Sequence, residues 1–465
     1  MKIPRILLAA GASGSGKTLI TCGILQAFVN RKKKVASFKC GPDYIDPMFH
    51  SRVIGTRARN LDPFFTDTEL LRYLLGSNAG DHDIAVMEGV MGYYDGVAGT
   101  TTKASAYDLA IQTETPAVLI VNSRGMSVSL AAYIKGFLEY RADSQIRGVI
   151  FNQMSPMLYP RMKKLVEEEL GITVFGYVPR VEDCVIESRH LGLVLPEEIP
   201  ELKERLMRLS QILEQTLDLD ALLALAQTAP PLEIPSKDRL KEKSEAFGFV
   251  LPGKVRIAAA KDEAFCFFYE DNFRLLQEMG AELVWFSPIH DQKLPQDVDG
   301  LLLYGGYPEL YAKELEENEA MRNEIKQKLQ EGLPCMAECG GFMYLHEKME
   351  DISGVTHEMA GVIPGAVYKT DRLGRFGYIM LQQKIPVFGE TELGEIPAHE
   401  FHYFDSENCG TDFTAQKPCS SRSWACIHGT EHLLAGFPHF YYYGNPKVAE
   451  AFLRTCLNVK EQKES

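Results

Sequence analysis

None of the ten cysteines stands in C-x-x-C spacing with another. In a chain of 465 residues, long enough to bury a large core, that pattern argues against a disulfide framework or a cysteine-built metal site. No uninterrupted apolar run approaches the ~18 residues of a membrane span. The start, Met1-Lys2-Ile3-Pro4-Arg5 followed by Ile6 to Ala10, imitates a signal peptide only faintly. Its apolar core is short and runs into Gly11 and Lys17, so a cytoplasmic protein is expected. Basic residues are outnumbered, 49 Lys and Arg against 63 Asp and Glu, a formal charge of −14. The chain as a whole is therefore no nucleic-acid binder, and any anionic ligand needs cations gathered locally. Internal repeats and low-complexity tracts are also lacking.

What is present is globular in character, with 45% apolar and 24% charged residues. Short apolar strands alternate with helical patterns in two blocks. In the first, Ile6 to Ala10, Lys34 to Phe38, Asp83 to Met87, Ala117 to Val121, Gly148 to Asn152 and Thr173 to Tyr177 read as strands. Thr18 to Asn30, Ser127 to Tyr140 and the leucine-periodic Pro200 to Gln227 read as helices. The second block carries strands at Val255 to Ala260, Glu282 to Phe286, Gly300 to Tyr304 and Leu333 to Ala337. Such alternation implies an α/β protein of two domains, each a mainly parallel sheet flanked by helices. Three prolines between Pro230 and Pro235, then a charge run, place a linker at 229–253 between domains 1–228 and 254–465. The polar stretch Cys409 to Ser423 reads as a long loop.

Gly11-Ala12-Ser13-Gly14-Ser15-Gly16-Lys17-Thr18 matches G-x-x-x-x-G-K-[ST] at each fixed position, after a strand and before a helix. Gly11, Gly14 and Gly16 let backbone N–H groups turn toward phosphate oxygens. Lys17 supplies charge for the β- and γ-phosphates, and the Thr18 hydroxyl suits Mg²⁺. After the second strand come Lys39, Asp43, Tyr44 and Asp46 in Lys39-Cys40-Gly41-Pro42-Asp43-Tyr44-Ile45-Asp46-Pro47. Loops at the carboxyl ends of parallel strands line the ligand crevice. Carboxylates there either hold a metal against a triphosphate or merely shape turns beside proline. Glu88 ends an apolar strand before two glycines and is a further metal-facing candidate. Arg124 follows another strand and either meets an anion or is an exposed loop arginine.

In the second block, Pro334-Cys335-Met336-Ala337-Glu338-Cys339-Gly340-Gly341-Phe342 reads strand, sharp turn, helix, with Cys339 at the bend. Small neighbours suit a nucleophile in a strained turn, and a helix N-terminus there would lower the thiol's pKa. Cys335 belongs to the apolar strand, and the other cysteines read as ordinary thiols. Gly305 and Gly306, after the strand Leu301 to Tyr304, could expose N–H groups as an oxyanion hole, with Gly340 at the bend itself. His439, about a hundred residues beyond Cys339, is the candidate base. His399 and His402 are three apart but lack an evident third ligand for a metal.

As an ordered set these motifs resemble the cobyrinic acid a,c-diamide synthase family over nearly the whole chain. The resemblance extends through Lys261-Asp262-Glu263-Ala264-Phe265, Tyr269, Asp271, Asn272, Gly305-Gly306-Tyr307-Pro308-Glu309 and His399-Glu400-Phe401-His402-Tyr403. It implies a P-loop domain similar to dethiobiotin synthetase followed by a flavodoxin-like, class I-type glutamine amidotransferase domain. It also implies that Cys339 releases ammonia from glutamine, with His439 as its partner. ATP with Mg²⁺ would activate the a and c carboxylates of cobyrinic acid as acyl phosphates. Lys17, Lys39 and Arg124 would bind ATP, and Thr18, Asp43, Asp46 and Glu88 would hold Mg²⁺ or orient substrate. Tyr44 would touch the macrocycle. The partners implied are small molecules (a tetrapyrrole polycarboxylate, glutamine and ATP), with neither nucleic acid nor membrane, and a homodimer is compatible. Hydrogenobyrinate and nickel-sirohydrochlorin are alternative rings. Another amido-ligase, or a P-loop nucleotide switch with a non-catalytic amidotransferase-like half, are alternatives of other kinds. Two positions after His439 stands Tyr441, where many class I amidotransferases carry a glutamate. The carboxylate that orients the base is thus left to be found.

Overall fold

The computed structural model describes all residues except 182–187, 190–191, 194–198, 200, 391 and 465. Cys184 and Pro200 lie outside the described residues. The chain forms two compact units, Met1–Ser236 and Lys237–Ser465.

In the first unit seven strands form one parallel sheet: β1 (Arg5–Ala10), β2 (Val35–Cys40), β3 (Arg57–Leu61), β4 (Ile84–Glu88), β5 (Ala117–Asn122), β6 (Ile146–Asn152) and β7 (Thr173–Val178). Their order is β3-β2-β4-β1-β5-β6-β7, with every pairing parallel. β1, β2 and β4 are buried along their whole length, which is why they read as continuous apolar runs. Placing β1 between β4 and β5 sets the loop after it amid the carboxyl ends of its neighbours.

β3 escapes sequence reading. It is an edge strand, Arg-Ala-Arg-Asn-Leu, whose charged residues suit a solvent-facing rim and hide its apolar character. The helical stretch expected up to Gln227 is two helices, Leu202–Thr216 and Leu219–Gln227. The break falls where Leu217 becomes extended and Asp218 Oδ1 accepts from Ala221 N at 2.8 Å, capping the second helix. A short antiparallel pair, β8 (Ser188–Arg189) and β9 (Gly192–Leu193), completes the strands described in this unit.

The second unit opens with the helix Lys237–Lys243, formed by the charge run that composition places in the linker. Its main sheet contains β10 (Val255–Ala260), β11 (Ala281–Phe286), β12 (Gly300–Leu303) and β13 (Cys335–Glu338). Two further sheets follow in sequence, the first mixed and the second antiparallel throughout, a feature that strand–helix alternation did not foreshadow. One is built from β14 (His346–Glu350), β15 (Thr356–Glu358), β16 (Ile363–Lys369) and β19 (Phe404–Ser406). The other is built from β17 (Phe376–Gln383), β18 (Ile396–Phe401), β20 (Phe413–Gln416), β21 (Ser423–Cys426) and β24 (His439–Phe440). The remaining strands, β22 (His428–Gly429) and β23 (Leu433–Gly436), return to the main sheet, ordered β11-β10-β12-β13-β23-β22 and antiparallel only at its last pair. β20 and the first residue of β21 fall inside the expected loop 409–423. Phe413 and Ala415 point inward, but alternation over four residues is too short to read as a strand.

Candidate active sites

The first site forms around the turn from β1 into the helix Lys17–Asn30. Gly16 sits at that helix's cap with φ +84°, and a Cβ there would lie 2.4 Å from Asn152 Nδ2. Both facts demand glycine. The same amide donates to Ser15 O at 2.8 Å, so the end of β6 braces the phosphate loop. Sequence reading missed Asn152, because an Asn at a strand end carries no motif. Lys17 is buried and donates to Met91 O at 2.9 Å. Burial, and then the neighbouring Lys39, lower its ammonium to about 8. An arriving polyphosphate would supply the missing countercharge.

β2, β4 and the short helix Ile45–Met48 deliver Lys39, Glu88 and Asp46 to one buried cluster. Thr18 Oγ1 stands 2.6 Å from Glu88 Oε1 and 3.2 Å from Asp46 Oδ2, with one proton to give. Lys39 Nζ ion-pairs with Asp46 Oδ2 and, at 2.9 Å, with Glu88 Oε1. Burial alone would lower the Lys39 ammonium, but Asp46, Glu88 and Asp43 push it well above its ordinary value. Burial would likewise raise Glu88, yet Lys39 and hydrogen bonds from His50 and Thr18 hold it well below the usual carboxylate range. Asp46 moves the other way, pushed up by burial, by Asp43 and by Glu88. His50 Nε2, 3.2 Å from Glu88 Oε2, is a second residue that no motif announced.

The other expected residues are placed less uniformly. Asp43 Oδ1 accepts from the N–H groups of Ile45 and Asp46 at 2.9 and 3.1 Å, the turn-shaping role of an aspartate. Its Oδ2 lies 4.0 Å from Lys39 Nζ, at the margin of the cluster. Tyr44 is buried beside it. Arg124 is exposed; its backbone N–H donates to Asn122 Oδ1 at 3.1 Å, and the structure does not bring it into the cluster. Among the described residues no three His, Cys, Asp or Glu side chains are disposed to hold a metal on their own. The reason is visible: a lysine ammonium stands among the carboxylates. Thr18, Asp46 and Glu88 are nevertheless hard oxygen donors, the kind Mg²⁺ accepts when phosphate oxygens complete its shell.

The second site forms where β13 turns into the five-residue helix Gly340–Tyr344. Cys339 occupies the bend with φ +45° and ψ −103°, a strained conformation for a residue with a Cβ. Its N–H donates to Gly436 O at 2.8 Å, fixing the elbow to the adjoining β23. The expected acidification of the thiol does not prevail. Burial pushes it up, Glu309 adds to this, and the Gly340 N–H offsets only part. Desolvation of a thiolate outweighs the dipole of so short a helix. Deprotonation therefore has to be driven by a base.

His439 is the candidate for that base by position. β24 pairs with β18, setting His439 opposite His399, with ring centroids 6.3 Å apart. A Cβ on Gly305 would lie 2.5 Å from His439 Cε1, and one on Gly340 would lie 3.1 Å from Gly306 N. Gly305, Gly306, Gly340 and His439 thus converge on the Cys339 elbow. The carboxylate beside His439 is Glu338, directly before Cys339 in the chain. Its Oε2 lies 3.6 Å from His439 Nδ1, and its oxygens also accept from Phe440 N and Tyr442 Oη at 3.3 and 3.5 Å. Burial raises the Glu338 carboxyl, and His439 draws it back. A glutamate ending a buried apolar strand is the same signal that marks Glu88, and it could have revealed Glu338. Tyr441, at the position where a glutamate might be sought, donates instead to Asp271 Oδ2 at 3.4 Å.

Glu338→Gln is expected to lower kcat for glutamine hydrolysis by ~10²-fold or more while leaving KM nearly unchanged. A kcat left unchanged in Glu338→Gln, or a loss carried by KM instead, would remove Glu338 from the role of positioning residue.

A phosphate cradle in one unit and a Cys–His–Glu centre in the other define a two-domain, nucleotide-using enzyme of the glutamine amidotransferase class. Residues 6–193 match the CobQ/CobB/MinD/ParA nucleotide binding domain, and 256–433 the CobB/CobQ-like glutamine amidotransferase domain. Cobyrinate a,c-diamide synthase of Caldanaerobacter subterraneus subsp. tengcongensis is 38% identical over 97% of this chain and 98% of its own. The protein of that name from Priestia megaterium is 36% identical over 99% and 98%. A third, from Clostridium acetobutylicum, is 38% identical over 95% and 97%. The chain belongs to the cobyrinate a,c-diamide synthase family. No helix among its described residues is long and apolar enough to cross a membrane.

Proposed function

We propose that the protein amidates the a and c side-chain carboxylates of cobyrinic acid, using ATP and glutamine. One observation carries most weight: Cys339 at a strained elbow, with Gly305, Gly306 and the Glu338–His439 pair around it, accompanies a complete phosphate cradle in one chain. A glutaminase centre supplies ammonia, and a phosphoryl-transfer centre makes a carboxylate able to accept it.

In the second unit the Cys339 sulfur gives its proton to His439 and attacks the side-chain carbonyl of glutamine. Gly306 and Gly340 offer N–H groups where the oxyanion develops. His439 returns the proton to the departing nitrogen, NH₃ leaves, and water hydrolyses the glutamyl thioester to glutamate. In the first unit a corrinoid carboxylate oxygen attacks the γ-phosphorus of ATP, giving an acyl phosphate and ADP. NH₃ then displaces phosphate and forms the amide. Lys17 and the turned-in amides of Gly11 to Gly16 hold the phosphates, while Lys39 neutralises the buried carboxylates beside them. Thr18, Asp46 and Glu88 would hold Mg²⁺, which screens phosphate charge when bound. Asp43 and Tyr44 border the acceptor.

The test is to give the purified protein ATP, glutamine and, in turn, cobyrinate, hydrogenobyrinate and nickel-sirohydrochlorin. Two carboxylates of cobyrinate become amides, with ADP and glutamate formed in step. A preference for another ring would move the assignment within the family, and amidation of no tetrapyrrole would overturn it.

A further inference from the structure

Glu400 presents a chemical problem that the steps above do not use. It lies on β18, one residue beyond His399, and its side chain is wholly buried. Neither carboxylate oxygen receives a hydrogen bond. Burying such a group without a donor costs several kcal/mol unless a partner arrives. Nearby cations are committed elsewhere. Lys417 Nζ donates to the carbonyls of Phe376 and, at 3.2 Å, Tyr378. Arg375 turns to Cys409 Sγ and Asp405. Among the described residues no ammonium or guanidinium lies within ion-pair distance of Glu400.

One ring faces it. His402 Nε2 lies 3.5 Å from Glu400 Oε2. The other nitrogen of that ring, Nδ1, meets Phe404 O at 2.5 Å, and a carbonyl can only accept. Nδ1 therefore carries a proton, and Nε2 is the ring atom turned toward the carboxylate. No hydrogen bond joins the two, and both oxygens of Glu400 stay without a donor. A group with several N–H donors and a positive charge would satisfy the carboxylate.

The pair also has a fixed relation to the nucleophile. The His402 ring stacks on Phe437, with centroids 3.9 Å apart and planes at 10°. Phe437 directly follows Gly436, whose carbonyl holds the Cys339 N–H. Glutamine, the amido donor in the proposed function, carries such a cation at its α-carbon, a few bonds from the amide that Cys339 attacks. Resting on that reading, we infer that Glu400, with His402 beside it, binds the α-ammonium of glutamine and sets specificity for an α-amino acid amide. The ammonium donates to Glu400, and the side-chain amide extends toward Cys339.

The test uses glutaramate, which is glutamine without its α-amino group. Glutamate-type product and released ammonia are measured with both amides for the full-length wild type, Glu400→Gln and Glu400→Asp. The wild type is expected to favour glutamine by roughly 10³-fold in kcat/KM, because glutaramate leaves the buried acceptors unpaired. Glu400→Gln should reduce that preference to about tenfold or less, chiefly through a higher KM for glutamine, with Glu400→Asp intermediate. The preference is a ratio within each variant, so partial unfolding does not imitate the effect. Equal use of both amides by the wild type, or a preference unchanged in Glu400→Gln, would overturn the assignment. If the wild type uses added ammonia but neither amide, the glutaminase reading itself fails, and this inference with it.

Discussion

Cys339→Ala is expected to abolish glutamine-dependent amidation, a loss of at least ~10³-fold, because the nucleophile and its base act as one unit. Synthesis with added ammonium salt should stay within about twofold of wild type, since the substitution leaves the nucleotide site in the other unit untouched. Fold damage is not a competing explanation, as the change removes one sulfur and keeps a Cβ at the same positive φ. ATP- and ammonia-supported turnover therefore reports intact synthetase chemistry in the same sample. Cys335 provides the control. It lies in the buried strand β13, where burial also pushes its thiol far up, and its N–H donates to His432 O, a backbone contact that supplies no base. Cys335→Ala should retain glutamine use with a modest stability loss from the small cavity. Glutamine-driven product surviving Cys339→Ala would mean that the elbow is not the nucleophile. The outcome is measured as amide formed with each nitrogen source.

Much of this site is legible in the sequence, for a physical reason. A phosphate loop and a nucleophile elbow are local: strand, tight turn and helix lie next to one another in the chain, so spacing records the geometry. Gly16, Lys17, Thr18 and Cys339 all fall in such segments. Glu338 pairs with a histidine a hundred positions away, and only the register between β13, β23 and β24 discloses it. Asn152 and His50 reach their sites from other elements in the same manner. The parallel sheets were readable because buried strands are continuously apolar. The edge strand β3 and the short, half-polar β20 were not, since solvent exposure removes that pattern. The thiol's shift shows a limit of another kind. A helix N-terminus can be read from sequence, but the burial that outweighs it cannot.

Lys39→Met should have the largest effect on stability, about 3–5 kcal/mol at neutral pH, because it breaks a buried ion cluster on one side only. Without the ammonium, Asp46 and Glu88 share Thr18 Oγ1 with no cation between them. Both cannot remain ionised so close together, and Asp46, already pushed up by burial, by Asp43 and by Glu88, takes the proton. The pH dependence follows. In the wild type Glu88 sits below its unfolded value, so its contribution holds above that value and fades only as pH falls through the folded one. The variant loses this contribution. Its raised carboxyl binds a proton more tightly when folded, which adds stability at low pH and loses it as pH rises through the raised value. Urea midpoints should thus differ little between wild type and variant near roughly pH 5, and most near roughly pH 8. Added Mg²⁺ should raise the midpoint of the variant more than that of the wild type, because a divalent cation can take over the charge that Lys39 supplies. A loss equal at both pH values, and indifferent to Mg²⁺, would assign Lys39 to packing through its alkyl stem. The expected pattern makes it the resident cation of the nucleotide site, and explains how a chain of net charge −14 keeps three carboxylates around a place meant for phosphate.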